Sequence, residues 1–155
     1  MKRYTTKIYT PAGDISIESD ESGKKVFKIE LGHQKSEKLI CENREIEIVK
    51  QLCEYLKGKR KEFNIEFELK GTDFQIKVLK ELMKVPYGTT ITYKELAERV
   101  GNSNAARAVG NVVASNYLPI IIPCHRVVSK SGLGGFGGGI GWKKFLIDLE
   151  RRNTK

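Results

Sequence analysis

Two helix starts are written into this chain twenty residues apart. Thr72-Asp73-Phe74-Gln75 and Thr92-Tyr93-Lys94-Glu95 share one form, a threonine followed three positions later by a glutamine or glutamate. In that pattern the threonine hydroxyl accepts from a first-turn amide and the longer side chain reaches back to the threonine's own amide. Two donors that a helix start leaves open are thereby satisfied. Such a box constrains a fold more than a hydrophobic run does, because it fixes a boundary as well as an element. After the first box, Phe74, Val78, Leu79, Leu82 and Met83 form an apolar stripe, and Pro86-Tyr87-Gly88 predicts a turn that the helix cannot cross. After the second, Tyr93, Leu96, Ala97 and Val100 recur at helical spacing, and Gly101 supplies a left-handed stop. Asn102-Ser103-Asn104 is a tight polar connection of helix-capping residues, and a third helix is predicted over 105–114. Two short helices so joined have the layout of a helix-turn-helix.

The third helix is two-faced in an unusual way. Ala105, Ala108, Val109 and Val112 form a stripe expected to be buried, while Arg107, Gly110, Asn111 and Ala114 lie opposite. A solvated face normally carries Lys and Glu. This one is small and polar with a single arginine, and glycine within a helix costs about 1 kcal/mol against alanine. Close approach to another surface gives that glycine a reason. The surface is either a nucleic-acid groove or another helix, and this helix alone does not choose between them.

The run Ile121-Ile122-Pro123-Cys124-His125-Arg126-Val127-Val128 places a cysteine beside a histidine. A thiolate is a strong nucleophile and histidine is suited to take its proton near neutral pH. Neighbouring side chains of an extended segment point to opposite faces. Either the chain turns at Pro123-Cys124 or a water bridges the two groups. The glycine-rich stretch 132–141 follows, without the Lys-[Ser/Thr] of a phosphate loop, and reads as a flexible turn or as a mobile wall for a flat ligand. A last helix is predicted from about Ile140, with Trp142, Phe145, Leu146 and Leu149 buried and Glu150 at the stripe's edge. If buried, a carboxylate there needs a partner, for which His125 is the obvious candidate; the alternative is a solvated glutamate beside Arg151 and Arg152. A relay of Glu150, His125, water and Cys124 follows the general logic of an activated nucleophile.

The first half carries no comparable cluster. Ile8–Thr10, Ile15–Ser19 and Val26–Leu31 read as strands with turns between them, Glu45–Lys57 as a helix with Ile48, Leu52, Tyr55 and Leu56 on one face, and Phe63–Leu69 as a further strand. The net charge of +9 over 155 residues suits a polyanionic partner, although a lysine-rich surface alone would produce it. The first residues lack an apolar leader segment and no stretch is long enough to span a membrane, so an intracellular, cytoplasmic setting with Cys124 free is expected. Cys41 and Cys53 read as ordinary small residues around the predicted helix, and whether they pair stays open. No metal is expected, because neither lies in a CxxC pair and only His33 is nearby.

Pro123-Cys124-His125-Arg126-Val127-Val128 resembles the active-site signature of the O6-alkylguanine-DNA alkyltransferases, the methylated-DNA–protein-cysteine methyltransferases. The resemblance runs in order from Gly71 to Glu150 through Phe74-Gln75, Pro86-Tyr87-Gly88, Thr92-Tyr93, residues 105–110 and Asn116. It implies an α/β N-terminal domain over 1–62, with a small RNase H-like sheet and a helix. A linker over 63–70 and a mainly α C-terminal domain over 71–155 with the helix-turn-helix would follow. It further implies double-stranded DNA as partner, minor-groove entry, and a damaged guanine flipped into a pocket. Cys124 would be the alkyl acceptor, His125 its water-mediated base, Glu150 the orienting acid, Tyr93 the proton or hydrogen-bond donor to the leaving guanine, and Asn116 the hinge. Arg107 would fill the gap left by the flipped base, with Ala106, Gly110, Asn111 and Ala114 facing DNA. The Val127 carbonyl would accept from the guanine amine, and Val113, Phe136 and Gly137 would line the alkyl pocket. Family members often have tyrosine then serine where this chain has Phe136-Gly137, so the serine hydroxyl that contacts guanine O6 is missing. No cofactor is implied, since the cysteine is itself the acceptor. O4-alkylthymine would be a second substrate, and the protein would act once, as a monomer that can bind DNA cooperatively. Two other classes compete: a cysteine hydrolase, whose distant histidine could only be His33, and a non-enzymatic helix-turn-helix regulator or damage sensor.

Overall fold

Alternating residues at the start of the chain become a three-stranded antiparallel meander in the computed structural model, which describes residues 2–135 and 138–154. Strands β1 (Tyr4–Thr10), β2 (Gly13–Ser19) and β3 (Val26–Leu31) pair in chain order. Ile8 lies opposite Ile15, and Ile17 opposite Ile29, so one face of the sheet is a continuous aliphatic surface. Thr10 makes the first hairpin tight, its hydroxyl accepting from the amides of Ala12 and Gly13. Helix α1 (Glu47–Leu56) contributes Ile48, Val49, Leu52, Tyr55 and Leu56 to the same core. These elements form one compact unit, Met1–Glu68; the second is Leu69–Lys155.

Two expectations fail in the first unit. Cys41 and Cys53 are joined in a disulfide. The segment after β3 folds back along β1, where Tyr9 and Ile40 exchange backbone hydrogen bonds at 3.2 and 2.8 Å. Tertiary folding thus carries Cys41 to α1, which local spacing did not show. Phe63–Leu69 forms no strand: only Glu66 reaches the sheet, through a single bridge to Lys25.

In the second unit both capping boxes form. Thr72 accepts from the Gln75 amide at 3.2 Å and Gln75 from the Thr72 amide at 2.8 Å, opening α2 (Asp73–Leu82). Thr92 and Glu95 open α3 (Tyr93–Arg99) in the same way. Helix α4 (Ala106–Ala114) has no such start: its cap residue is Ala105, with no side-chain hydrogen bond. Asn102 accepts instead from the Asn104 amide within the connection, so the capping residues close a turn and leave the helix amides open. Helices α2, α3 and α4 pack together through Val78, Leu79, Leu82, Leu96, Ala97, Val109 and Val112. Phe74, Met83 and Ala108, expected inside, are exposed, as Val78, Leu79 and Val109 already fill the seam.

A short parallel pair, β4 (Ile91–Thr92) with β5 (Val127–Val128), ties the start of α3 to the cysteine segment. Helix α5 (Ile140–Arg152) closes the unit with Trp142, Leu146, Ile147 and Leu149 buried. Phe145, expected in the buried stripe, is half-buried, its ring edge-on to Trp142 at 5.7 Å. No helix among the described residues is long and apolar enough to cross a membrane. Of the chain's 28 Lys and Arg and 19 Asp and Glu, 14 and 6 fall at 69–155, which therefore carries +8 of the net +9.

Candidate active site

The chain turns at the cysteine. Cys124–Arg126 form one turn of 3-10 helix, with the Cys124 amide donating to Ile122 at 2.7 Å and the Arg126 amide to Pro123 at 3.0 Å. Approach to that turn is held by Asn116, whose side-chain amide donates to the Ile122 carbonyl at 2.8 Å and whose oxygen accepts from Leu118 at 3.0 Å. Ile120, between those contacts, has φ +77°, a conformation a β-branched residue adopts only when its surroundings enforce it. Cys124, His125 and Arg126 are all buried.

Glu150 is the hub beneath the turn. One carboxylate oxygen lies 2.6 Å from His125 Nε2 and accepts from Arg126 Nη2 at 3.0 Å. The other accepts from Arg126 Nε at 2.9 Å and from the Gly88 amide at 3.0 Å. Burial works to raise the Glu150 pKa, but His125 and Arg126 outweigh it and hold the carboxyl well below its usual range. An ionised carboxylate only accepts, so His125 Nε2 carries the proton and donates. That leaves Nδ1, which is buried and has no hydrogen-bond partner among the described residues, as the basic ring atom. Burial pushes the His125 pKa down against the pull of Glu150, and the charges of Arg126 and Lys143 push the same way as burial. The imidazole is a neutral base near neutral pH. Glu150, expected at the edge of its stripe, is 1% exposed, because four donors converge on it.

Burial raises the Cys124 thiol to about 11, opposed by a hydrogen bond from Asn116 and by the charge of Lys143. Lys143 is the residue of this site that sequence reasoning missed. A lysine between Trp142 and Lys144 looks solvated, yet it is fully buried. Its Nζ donates to the Gly135 carbonyl at 3.0 Å and lies 5.7 Å from the centre of the Tyr93 ring. Burial lowers its pKa to about 8, with Cys124 opposing. The Tyr93 hydroxyl donates to the same Gly135 carbonyl at 3.3 Å, and burial together with Cys124 raises its pKa. Gly134 must be a glycine: its φ is +75°, and a Cβ would come within 3.0 Å of the Tyr93 ring. The only signal that could have found Lys143 is its helical spacing from Leu146, Ile147 and Glu150.

The structure thus brings Cys124, His125, Glu150, Asn116, Tyr93 and Lys143 into one neighbourhood. Val127 is buried in β5 opposite Ile91, and Val113 is buried in α4. Arg107, Asn111 and Ala114 are exposed, while Ala106 and Gly110 are half-buried. A Cβ on Gly110 would lie 3.7 Å from the Tyr93 ring, an ordinary contact, so packing against that ring does not by itself require a glycine there. Phe136 and Gly137 lie outside the described residues.

Residues 73–152 match the family model described as 6-O-methylguanine DNA methyltransferase, DNA binding domain. A methylated-DNA–protein-cysteine methyltransferase of Methanosarcina barkeri is 39% identical over 98% of this chain and 99% of its own length. One from Metallosphaera sedula is 38% identical over 97% and 94%. The match to the enzyme so named in Mycobacterium bovis is 49% identical but spans 66% of this chain and 63% of that protein. Among solved structures, a Mycobacterium tuberculosis O6-methylguanine methyltransferase superposes with a TM-score of 0.84 at 36% identity, over 99% of this chain and 96% of that one. The M. tuberculosis protein in complex with DNA gives 0.81 at 37% identity, over 95% and 92%. A family model over more than half of the chain, with end-to-end relatives above 30% identity, places it: the chain belongs to the 6-O-methylguanine DNA methyltransferase family.

Proposed function

We propose that this protein repairs O6-alkylguanine in double-stranded DNA by moving the alkyl group onto Cys124. The observation that carries the reading is the buried Cys124 beside a His125–Glu150 pair, in the unit that holds nearly all of the net positive charge. The Cys124 sulfur attacks the alkyl carbon, a C–S bond forms and the C–O6 bond breaks. Its thiol proton passes through water to His125 Nδ1. The electron pair of the broken bond stays with guanine, which Tyr93 stabilises by donating a hydrogen bond or proton. Tyr93 must first leave the Gly135 carbonyl, while Lys143 keeps that carbonyl in place. No cofactor enters, because sulfur keeps the alkyl group as a thioether. Nothing in this scheme returns the thiol, so each molecule acts once.

In this reading α3 and α4 act as a helix-turn-helix in the minor groove, on a scaffold whose first unit is RNase H-like. The uncapped amides of α4 and its exposed Arg107, Asn111 and Ala114 would meet DNA, with Ala106 and Gly110 at the edge. Arg107 would occupy the space of a flipped base, Asn116 would couple α4 to the cysteine turn, and the Val127 carbonyl, Val113, Phe136 and Gly137 would line the base and alkyl pocket. O4-alkylthymine fits the same in-line displacement. A monomer, binding DNA alone or cooperatively within the cytoplasm, completes the proposal.

Intact mass after mixing with a duplex containing O6-methylguanine tests it. A gain of one CH2 per protein, mapped to Cys124 and absent in Cys124→Ala, is expected. Retained DNA binding with no mass gain would replace the reading with that of a damage sensor.

A further inference from the structure

Arg126 belongs to no step so far, yet its side chain donates three hydrogen bonds within the site. Its Nε and Nη2 hold the two oxygens of Glu150, its Nη1 donates to the Val85 carbonyl at 2.8 Å, and its guanidinium lies 5.6 Å from the centre of the Tyr87 ring. It thereby ties the cysteine turn to α5 and to the turn that follows α2. His125, on the same 3-10 turn, shares one of those carboxylate oxygens. A free carboxylate 2.6 Å from an imidazole would swing with it and would strongly favour the imidazolium. A carboxylate already matched by a guanidinium is held in place, and its pull towards the imidazolium is partly offset by the guanidinium charge.

We propose that Arg126 is a positioning residue for alkyl transfer, gripping both oxygens of Glu150 so that the carboxylate fixes the His125 ring while its charge is already balanced. His125 is then aligned to accept a proton and free to give it up again. The proposal rests on the reading of Cys124 as acceptor and His125 as its base. The titratable groups around His125 are Cys124 and Arg126 on its own turn and Glu150 and Lys143 from α5, with Tyr93 of α3 beside Cys124 and Tyr87 against the Arg126–Glu150 pair. Of these, Arg126 is the permanent cation in direct contact with Glu150, and its charge adds to the burial that lowers His125.

The chain has two histidines, and His33 lies in the other unit, so ring-nitrogen NMR can follow His125 with an internal control. In Arg126→Met the His125 titration should move up by about one pH unit while His33 stays put, and the acid limb of the alkyl-transfer rate should move with it. In Arg126→Lys the charge remains but one ammonium cannot span two carboxylate oxygens and a carbonyl. His125 should titrate as in the parent, while the rate at saturating DNA falls about tenfold and half-saturation is unchanged. An unmoved His125 in folded Arg126→Met overturns the proposal, as does full rate in folded Arg126→Lys. Failure of both variants to fold assigns Arg126 to stability alone and also overturns it. The titration needs no DNA, so a parent protein that transfers no alkyl group would defeat the functional reading without touching this measurement.

Discussion

Cys124 sits in a pocket that works against its own ionisation. Burial alone would leave an inert thiol, and the groups that oppose it come from three places in the chain: Asn116, His125 and Lys143. The Cys124–His125 adjacency and a carboxylate at Glu150 were legible in sequence because their residue types are scarce and chemically pointed. Lys143 was not, since one lysine among many has no local mark and only tertiary contacts, with the Gly135 carbonyl and the Tyr93 ring, decide that it is covered. Its energetics give a prediction. The folded state lowers its pKa from 10.5 to about 8, so the folded state disfavours the charged form. Lys143 therefore opposes folding below pH 8, and the opposition fades as pH rises towards 10.5. Lys143→Met should leave the melting temperature at pH 7 equal or higher while slowing alkyl transfer about tenfold, because the thiol loses a charge that favours its ionised form. A lower melting temperature with an unchanged single-turnover rate would reassign Lys143 to structure.

Helices α2 and α3 begin where their threonines say they must, because a capping box is a local interaction and needs nothing from the rest of the fold. Helix α4 shows the limit of that logic. Asn102, Ser103 and Asn104 are good capping residues, yet the connection spends Asn102 on its own turn and the cap falls on Ala105. The open amides of α4 are then available to phosphate oxygens. Ala105→Asp should raise stability by about 0.5–1 kcal/mol by capping the helix, and should weaken duplex binding by placing an anion at the same end. Thermal unfolding and binding at low salt check the two halves. Stabilisation without loss of affinity would remove the α4 start from the interface. The missing strand at 63–69 has the converse explanation. Alternation predicts that a segment can be a strand, but pairing requires a free edge in register, and only Glu66 meets one.

Charge and cross-linking divide between the two units. The second carries +8 of the net +9, which suits the proposed contact with a polyanion, while the first is nearly neutral and holds the disulfide. Cys41 and Cys53 are 12 residues apart. Closing a loop of that length stabilises by about 3 kcal/mol in the chain-entropy treatment. Reduction, or Cys41→Ser, should lower the melting temperature of the first unit by several degrees and leave alkyl transfer to Cys124 intact. Loss of transfer on reduction, with the melting temperature unchanged, would contradict a scaffold role.

Short-range interactions set the starts of α2 and α3, the β2–β3 alternation, the turn at Pro86-Tyr87-Gly88 and the presence of a cysteine–histidine pair, so these could be read directly from the order of residues. The β4–β5 pairing, the Cys41–Cys53 bond, the burial of Lys143 and the grip of Arg126 on Glu150 each join residues far apart in the chain. Their energies depend on desolvation and on geometry within a few tenths of an ångström, and neither exists until the chain has packed.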